Sequence, residues 1–347
     1  MATTAAATYG ADQAGLICGF LFDPASGARS IDSVEAALQL AHLHADDAGA
    51  EGVPHAGIFV WLHFDLAHAA AESWLQRHAG LDEAFFESLQ DGLHSTRIER
   101  AEQSLLAVIN DVHFDFDFEP SDIATLWISV DRNLVVTARR RPLRSVDQLR
   151  IAVKRGDVFA STAELLEHLL RAQADVLVDI VRGVTSRIDK IEDQLLSGRL
   201  DHKRVKLGGL RRLLVRLQRL LAPEPAALFR LLQHPPGWLV ESHVQALRQS
   251  TEEFSAVLRD MAAVQERIKL LQEEIAASVN EDNGRSLFVL TIVTVLALPI
   301  NIIAGLLGMN VGGVPLAEHP HGFWMVVAIV ASFTAIAVPV AFRKRER

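Results

Sequence analysis

A single cysteine, Cys18, stands in 347 residues. It supports neither a disulfide framework nor a thiolate cluster, which suits a cytosolic bulk. Charge is missing in two long stretches: no Asp, Glu, Lys or Arg occurs between Arg285 and Glu318, or between Phe323 and Phe342. Glycine-rich nucleotide loops, GxSxG, HExxH and cysteine pairs are also lacking, which removes the common signatures of a membrane-tethered enzyme. The opening MATTAAATYGADQ has neither a basic segment nor an apolar run, so no secretory signal is expected.

The two charge-free stretches are each long enough to cross a bilayer, since roughly 20 apolar residues span a hydrocarbon core about 30 Å thick. Arg285 precedes the first and Arg343–Arg347 (RKRER) follow the second, while the loop between them has no Lys or Arg. Positive flanks stay in the cytoplasm. Both termini are therefore expected inside, with the loop outside. The net charge is −9, from 34 basic and 43 acidic residues. A symmetric assembly would multiply that field and draw cations towards a central opening. Nucleic acid is not expected as a partner.

The preceding part reads as an α+β cytoplasmic domain. Branched and aromatic runs predict strands at 15–22, 57–64, 104–110, 124–130 and 133–138, with DRN (131–133) as a hairpin turn. IDSVEAALQLAHLHA and HAAAESWLQRHAG carry helical spacing. Ser161 and Glu164 form a capping box that opens a helical region, interrupted by APEP and by QHPPGW. From Ser242 to Leu298 there is no proline and one glycine, so one long helix is expected to run on to Gly308. Leu247, Phe254, Leu258, Met261, Ile268, Ile275 and Val279 mark an apolar seam along it. That seam fits an intramolecular core or a stalk between subunits. The expected organisation is 1–160, an α/β domain; 161–285, a helical stalk; 286–308, the first span; 309–322, an external loop; 323–342, the second span; and 343–347, a basic tail.

The first span is not uniformly apolar. Gly284, Leu287, Thr291, Thr294, Leu298, Asn301, Gly305 and Gly308 step by four and three, and so share one helical stripe. An asparagine facing lipid would leave its amide unsatisfied, so such residues turn to protein or to a wet cavity. Two spans cannot enclose water, so a pore needs several copies around an axis. The plainer reading is that Gly and Thr allow close helix packing. A pore lined by hydroxyls, amides and carbonyls suits a divalent ion that keeps most of its water and binds weakly enough to leave. Gly308 fits a helix C-terminus with positive φ.

Gly308-Met309-Asn310, closing the first span ahead of a short loop, a last span and a basic tail, resembles the CorA superfamily of divalent-cation transporters. GMNVGGVP followed by HGFW, and WLHFDLAHAAAESWLQ earlier, look more like its zinc-transporting ZntB branch. The resemblance implies a funnel-shaped homopentamer in a bacterial inner membrane, with the first span lining the pore and Gly308, Met309 and Asn310 at its selective mouth. Gly284 stands where the magnesium channels often carry a polar residue, a departure from their pattern. The cargo implied is zinc, with cadmium, nickel and cobalt as further candidates, moved by uptake linked to the proton gradient. Magnesium conduction and zinc efflux are the alternatives. No cofactor is implied, and no tight metal site.

Further candidates lie outside the spans. Glu318, His319 and His321 are placed to attract a borderline metal at the outer mouth, or form a solvated loop. Glu266, Glu273 and Asn280 continue the pore stripe at sevenfold spacing and would ring the funnel. DVHFDFDFEP (111–120) predicts a strand with its acids on one face and its rings on the other, the acid face being a solvated edge or a cytoplasmic divalent-ion sensor. His42, His44, Asp46, Asp47 and His55 have mixed spacing and make a poor metal site. Neither span holds an ionisable side chain, so proton coupling has to act through loop or cytoplasmic groups.

Overall fold

The computed structural model describes residues 10–49, 57–90, 96–101, 104–115, 117, 122–196, 203–309 and 319–343. The chain forms two compact units, Met1–Leu270 and Leu271–Arg347.

The first unit is built on a seven-stranded sheet of order β2-β1-β3-β7-β6-β5-β4. Its strands are β1 (Leu16–Asp23), β2 (Gly27–Ile31), β3 (Phe59–Asp65), β4 (Arg97–Ala101), β5 (Ser104–Val112), β6 (Ile123–Val130) and β7 (Leu134–Arg139). Among the described residues only β3 and β7 pair in parallel. The β6–β7 turn is the expected hairpin, with the Asp131 carboxylate accepting the N–H groups of Asn133 and Leu134 at 2.8 and 2.7 Å. Five strands match apolar runs because the central ones are covered on both faces, which removes alternation.

One face meets α1 (Ser33–Gly49), α2 (Ala71–His78) and α3 (Glu83–Gln90) through Leu40, Trp74, Leu75, Phe85 and Leu89. The other meets α4 (Arg144–Arg155), α5 (Thr162–Leu196), α7 (Pro223–Leu231) and the start of α8 (Glu241–Leu307), through Leu149, Leu165, Leu228 and Leu247. The remaining soluble helix is α6 (Lys203–Leu221). Half-buried Cys18 has its thiol pushed up to about 12 by desolvation, so it is no thiolate at neutral pH.

Local signals explain the helix ends. Ser161 Oγ accepts the Glu164 N–H at 3.2 Å, and the Glu164 carboxylate reaches back to the Ala160 N–H at 2.8 Å. The reciprocal arm thus lands one residue before the cap. APEP does not simply break a helix: it starts one, with Pro223 in the first turn of α7, where a missing N–H costs nothing.

Two expectations are overturned. The strand expected over DVHFDFDFEP stops at Val112, the end of β5. Asp111 is not solvated: it is 3 % exposed and accepts the Ser145 N–H at 3.1 Å and the Ser145 hydroxyl at 2.5 Å, capping α4 from across the fold. Desolvation pushes its carboxyl up to about 6. Phe116, Phe118 and Glu119 lie outside the described residues.

The seam along α8 is a core within the chain. Leu247, Met261 and Ile268 are fully buried, as are Phe254 and Leu258 nearly so, whereas Val279 is 41 % exposed. Arg267 holds the helix against α5 through ion pairs to Asp189 at 2.8 Å and to Glu192. Ile268→Val is expected to lower unfolding stability by about 0.5–1.5 kcal/mol, while Val279→Ala stays within about 0.5 kcal/mol. Denaturant unfolding of the full chain checks both; equal effects would place the seam between subunits.

Candidate functional site

Helix α8 is 67 residues long, or about 100 Å at 1.5 Å per residue. Its second-unit part holds an 18-residue window of mean hydropathy 2.5, none of it buried in the chain. Apolar surface of that extent, left uncovered, is what a lipid-facing or oligomer-facing helix presents. Pro299 lies inside it, removing the hydrogen bond that the Val295 carbonyl would accept. Helix α9 (Gly322–Arg343) is the second apolar element.

The stripe residues Gly284, Leu287, Thr291, Thr294, Leu298, Asn301, Gly305 and Gly308 are all exposed in the single chain. From Phe288 to Leu307 the half-covered positions are Phe288, Ile292, Leu296, Ala297, Pro299, Ile300, Ile303 and Leu307, and the remaining positions are exposed. At about 100° per residue the centres of the two sets sit on roughly opposite sides of the helix. The chain therefore shields one flank of this helix and leaves the oxygen-bearing flank for something else.

The two threonines are already engaged by their own helix. Thr291 Oγ1 donates to the Leu287 carbonyl at 2.8 Å and Thr294 Oγ1 to the Leu290 carbonyl at 2.9 Å. With the hydroxyl proton turned back into the helix, the lone pairs point away from it. The stripe thus offers acceptors, suited to a cation or to the donor hydrogens of its water shell.

The helix ends at Leu307 and the Gly308 N–H closes it onto the Ala304 carbonyl at 2.9 Å. The left-handed conformation expected at Gly308 is absent, since its φ lies outside that region. Glycine is needed there for a different reason: a Cβ would sit 2.9 Å from the Ala304 oxygen. Met309 is half exposed. Asn310 and Glu318 lie outside the described residues.

His319 and His321 come together at the start of α9, with ring centroids 6.2 Å apart. His319 Nδ1 accepts the His321 N–H at 3.2 Å, and its carbonyl accepts the Gly322 N–H at 2.9 Å. That bond places the ring proton on Nε2, so His319 acts here as a helix cap, and metal binding through Nε2 would require giving up that bond. Among the described residues no group of three His, Cys, Asp or Glu is placed to hold a metal ion. His42 and His44 form no such group; His44 packs instead beside Gly80, and His55 lies outside the described residues.

The inner candidates differ among themselves. Glu266, in the first unit, is exposed and pairs with Lys269 at 3.1 Å, a surface contact of small worth. Glu273 and Asn280, in the second unit, are exposed. Sequence reasoning placed Asp111 on a solvated face and missed Glu224, although both are buried.

The fold is shared with known proteins. The family described as CorA-like Mg2+ transporter protein matches residues 56–344. The chain belongs to that family. It is 27 % identical over 321 residues, 92 % of its length and 93 % of the relative's, to a divalent cation transporter, CmaX, of Pseudomonas aeruginosa. The solved full-length CmaX structure superposes with a TM-score of 0.77, covering 96 % of this chain and 99 % of that one, at the same identity. A zinc transport protein, ZntB, of Pectobacterium atrosepticum is 22 % identical over 76 % of this chain and 80 % of its own. The complete structure of a magnesium transporter, CorA, from Methanocaldococcus jannaschii shares the fold with a TM-score of 0.75 at 20 % identity, covering 93 % and 96 % of the two chains. As a CorA-family member the chain is a divalent-cation transporter and not an enzyme, and the ion is its cargo, with no resident cofactor.

Proposed function

We propose that copies of this chain, five by resemblance to the family, surround an axis in a bacterial inner membrane and turn the α8 stripe towards it. The stripe would carry a largely hydrated divalent cation, zinc in the first place and cadmium, nickel or cobalt as further cargoes. One observation carries this reading: Thr291, Thr294 and Asn301 all lie on the flank of α8 that its own chain leaves uncovered. A packing-only role for the stripe would instead pair Asn301 with the same helix of another copy.

In this reading 286–308 and 323–342 cross the bilayer, both termini are cytoplasmic, and 309–322 faces out. Gly308, Met309 and Asn310 form the selective mouth, where carbonyl and amide oxygens hold the water shell of the ion. Glu318, His319 and His321 raise cation concentration outside it. Glu273 and Asn280 do the same within, where Glu266 is tempered by Lys269. Weak, neutral coordination favours passage over storage.

The cargo is read as zinc from the ZntB-like residues around the tripeptide and the likeness to zinc transport proteins. Magnesium is favoured instead by the family description and the CorA fold. Flux into reconstituted vesicles at matched free metal separates them: zinc entry is expected to exceed magnesium entry, and the reverse order would make this a magnesium channel. Repeating the zinc measurement with a pH gradient in each sense tests proton-linked uptake. Indifference to the gradient would remove coupling, and faster zinc exit would make the protein an exporter.

A further inference from the structure

Where α5, α7 and α8 meet behind the sheet, Gln173, Glu224, Ser250 and Thr251 wall a cavity of about 10 Å³, with Leu170 and Phe254. Glu224 is 2 % exposed and Gln173 is equally buried. Gln173 Nε2 donates both to the Asn110 carbonyl on β5, at 2.7 Å, and to Glu224 Oε2, at 3.1 Å. Gln173 Oε1 and Ser250 Oγ, both buried, have no hydrogen-bond partner among the described residues. Thr251 spends its hydroxyl on the Leu247 carbonyl at 2.6 Å.

β4 and α6 also pack against α7 and carry Arg97, Glu99, Arg100 and Arg219, but the charge that acts on Glu224 comes from Asp111. β5 brings Asp111, of the same sign, which is itself held by Ser145 and lies near Arg144. The α5 and α8 residues that line the cavity are uncharged, and so are Pro225 and Leu228 of α7. Among the described residues no cation bonds Glu224. A buried carboxylate with no cation and a second carboxylate nearby is a costly arrangement. An amide next to a carboxylic acid is not, because each presents one donor and one acceptor to the other. A carboxylate offers acceptors only, and the Gln173 oxygen lacks a donor.

We propose that Glu224 is a proton-binding site: its carboxyl keeps a proton at neutral pH, pairs acid to amide with Gln173, and ties α7 to α5, β5 and α8 until alkaline pH removes the proton. Desolvation first, then Asp111, pushes this carboxyl up to about 8, against the opposing hydrogen bond from Gln173. The N-terminus of α7 also favours the anion, but one nine-residue helix end is set against full burial. The proposal stands whichever ion the chain carries. It also supplies a proton-responsive group on the soluble side of α8, where the spans themselves have none.

The sign of the pH effect follows from linkage. Below about 4.5, the ordinary value for the unfolded chain, the group is protonated in both states and stability is fully present. As pH rises towards about 8 the folded state alone keeps the proton, so stability falls, and it levels off beyond. Asp111 acts in the same direction but only up to about 6. Between pH 6 and 8, the folding constant of the full-length wild type is therefore expected to fall about tenfold per pH unit relative to Glu224→Gln. Denaturant unfolding of both proteins in one detergent over that range reads the difference. Parallel curves would overturn the proposal. Infrared spectroscopy of the wild type gives a second reading that needs no variant. A protonated-carboxyl band at pH 7 that fades through about pH 8 supports the site, and a carboxyl already ionised at pH 6 overturns it.

Discussion

Replacing Asn301 by leucine is expected to lower divalent-cation flux in reconstituted vesicles by about 100-fold or more, with assembly and unfolding stability preserved. Asn301 is exposed on the uncovered flank of α8, away from the half-covered line through Pro299 and Ile303. On a lipid-facing flank leucine would be the better residue, and flux would not change. Around a wet axis each subunit supplies one amide to the water shell of the ion. A hydrogen bond of that kind is worth about 0.5–1.5 kcal/mol. Symmetry deletes every copy at once, so the barrier rises by roughly 3 kcal/mol or more, which is about 100-fold in rate. Asn301→Gln, keeping the amide on a longer stem, should retain far more transport than leucine. Thr294→Val should do less harm than the leucine change, because the Thr294 hydroxyl is already bonded to the Leu290 carbonyl. Wild-type flux in Asn301→Leu would show that the stripe does not line the path.

What the sequence discloses here depends on whether a feature is local. The stripe is visible because its residues follow one helix and nothing else sets their spacing. The long helix is visible for the same reason. β2 (GARSI) and β4 (RIERA) are not, since they are polar, exposed edge strands that exist only because β1 and β5 offer unpaired backbone. α3 was hidden because its buried face is only Phe85, Ser88 and Leu89 over eight residues. The alternating acids after β5 misled because alternation speaks for a strand only while the partner strand continues. Asp111 was captured instead by Ser145, 34 residues later in the chain. Glu224 gave no sign at all: an acid after a proline looks like any helix start, and only the fold brings Gln173 and Ser250 to it. The seam of α8 was legible as a seam but not as to its partner, because the same spacing serves an internal core and a coiled coil.

Gly308→Ala is expected to cut flux at least tenfold, and Gly305→Ala much less, although both lie on the same stripe. The difference is where a methyl group would go. At Gly308 a Cβ falls 2.9 Å from the Ala304 carbonyl oxygen, which already accepts the Gly308 N–H. Backbone cannot yield there without shifting the turn at Met309, and in the proposed reading a shift of that kind would misdirect carbonyls meant to meet an ion. At Gly305 a Cβ meets nothing within 4 Å in the chain. Alanine there should even favour the helix, by up to about 1 kcal/mol. A Gly305 that faces an open, wet axis leaves room for the methyl group in the assembly too. A Gly305 wedged against the same helix of another copy does not, and the variant would then dissociate the oligomer. Flux and oligomer size measured on both variants thus distinguish a mouth governed by turn geometry from a stripe that merely lets helices touch. Full flux in Gly308→Ala, or loss of assembly in Gly305→Ala, would hand the stripe to packing and leave the ion another route.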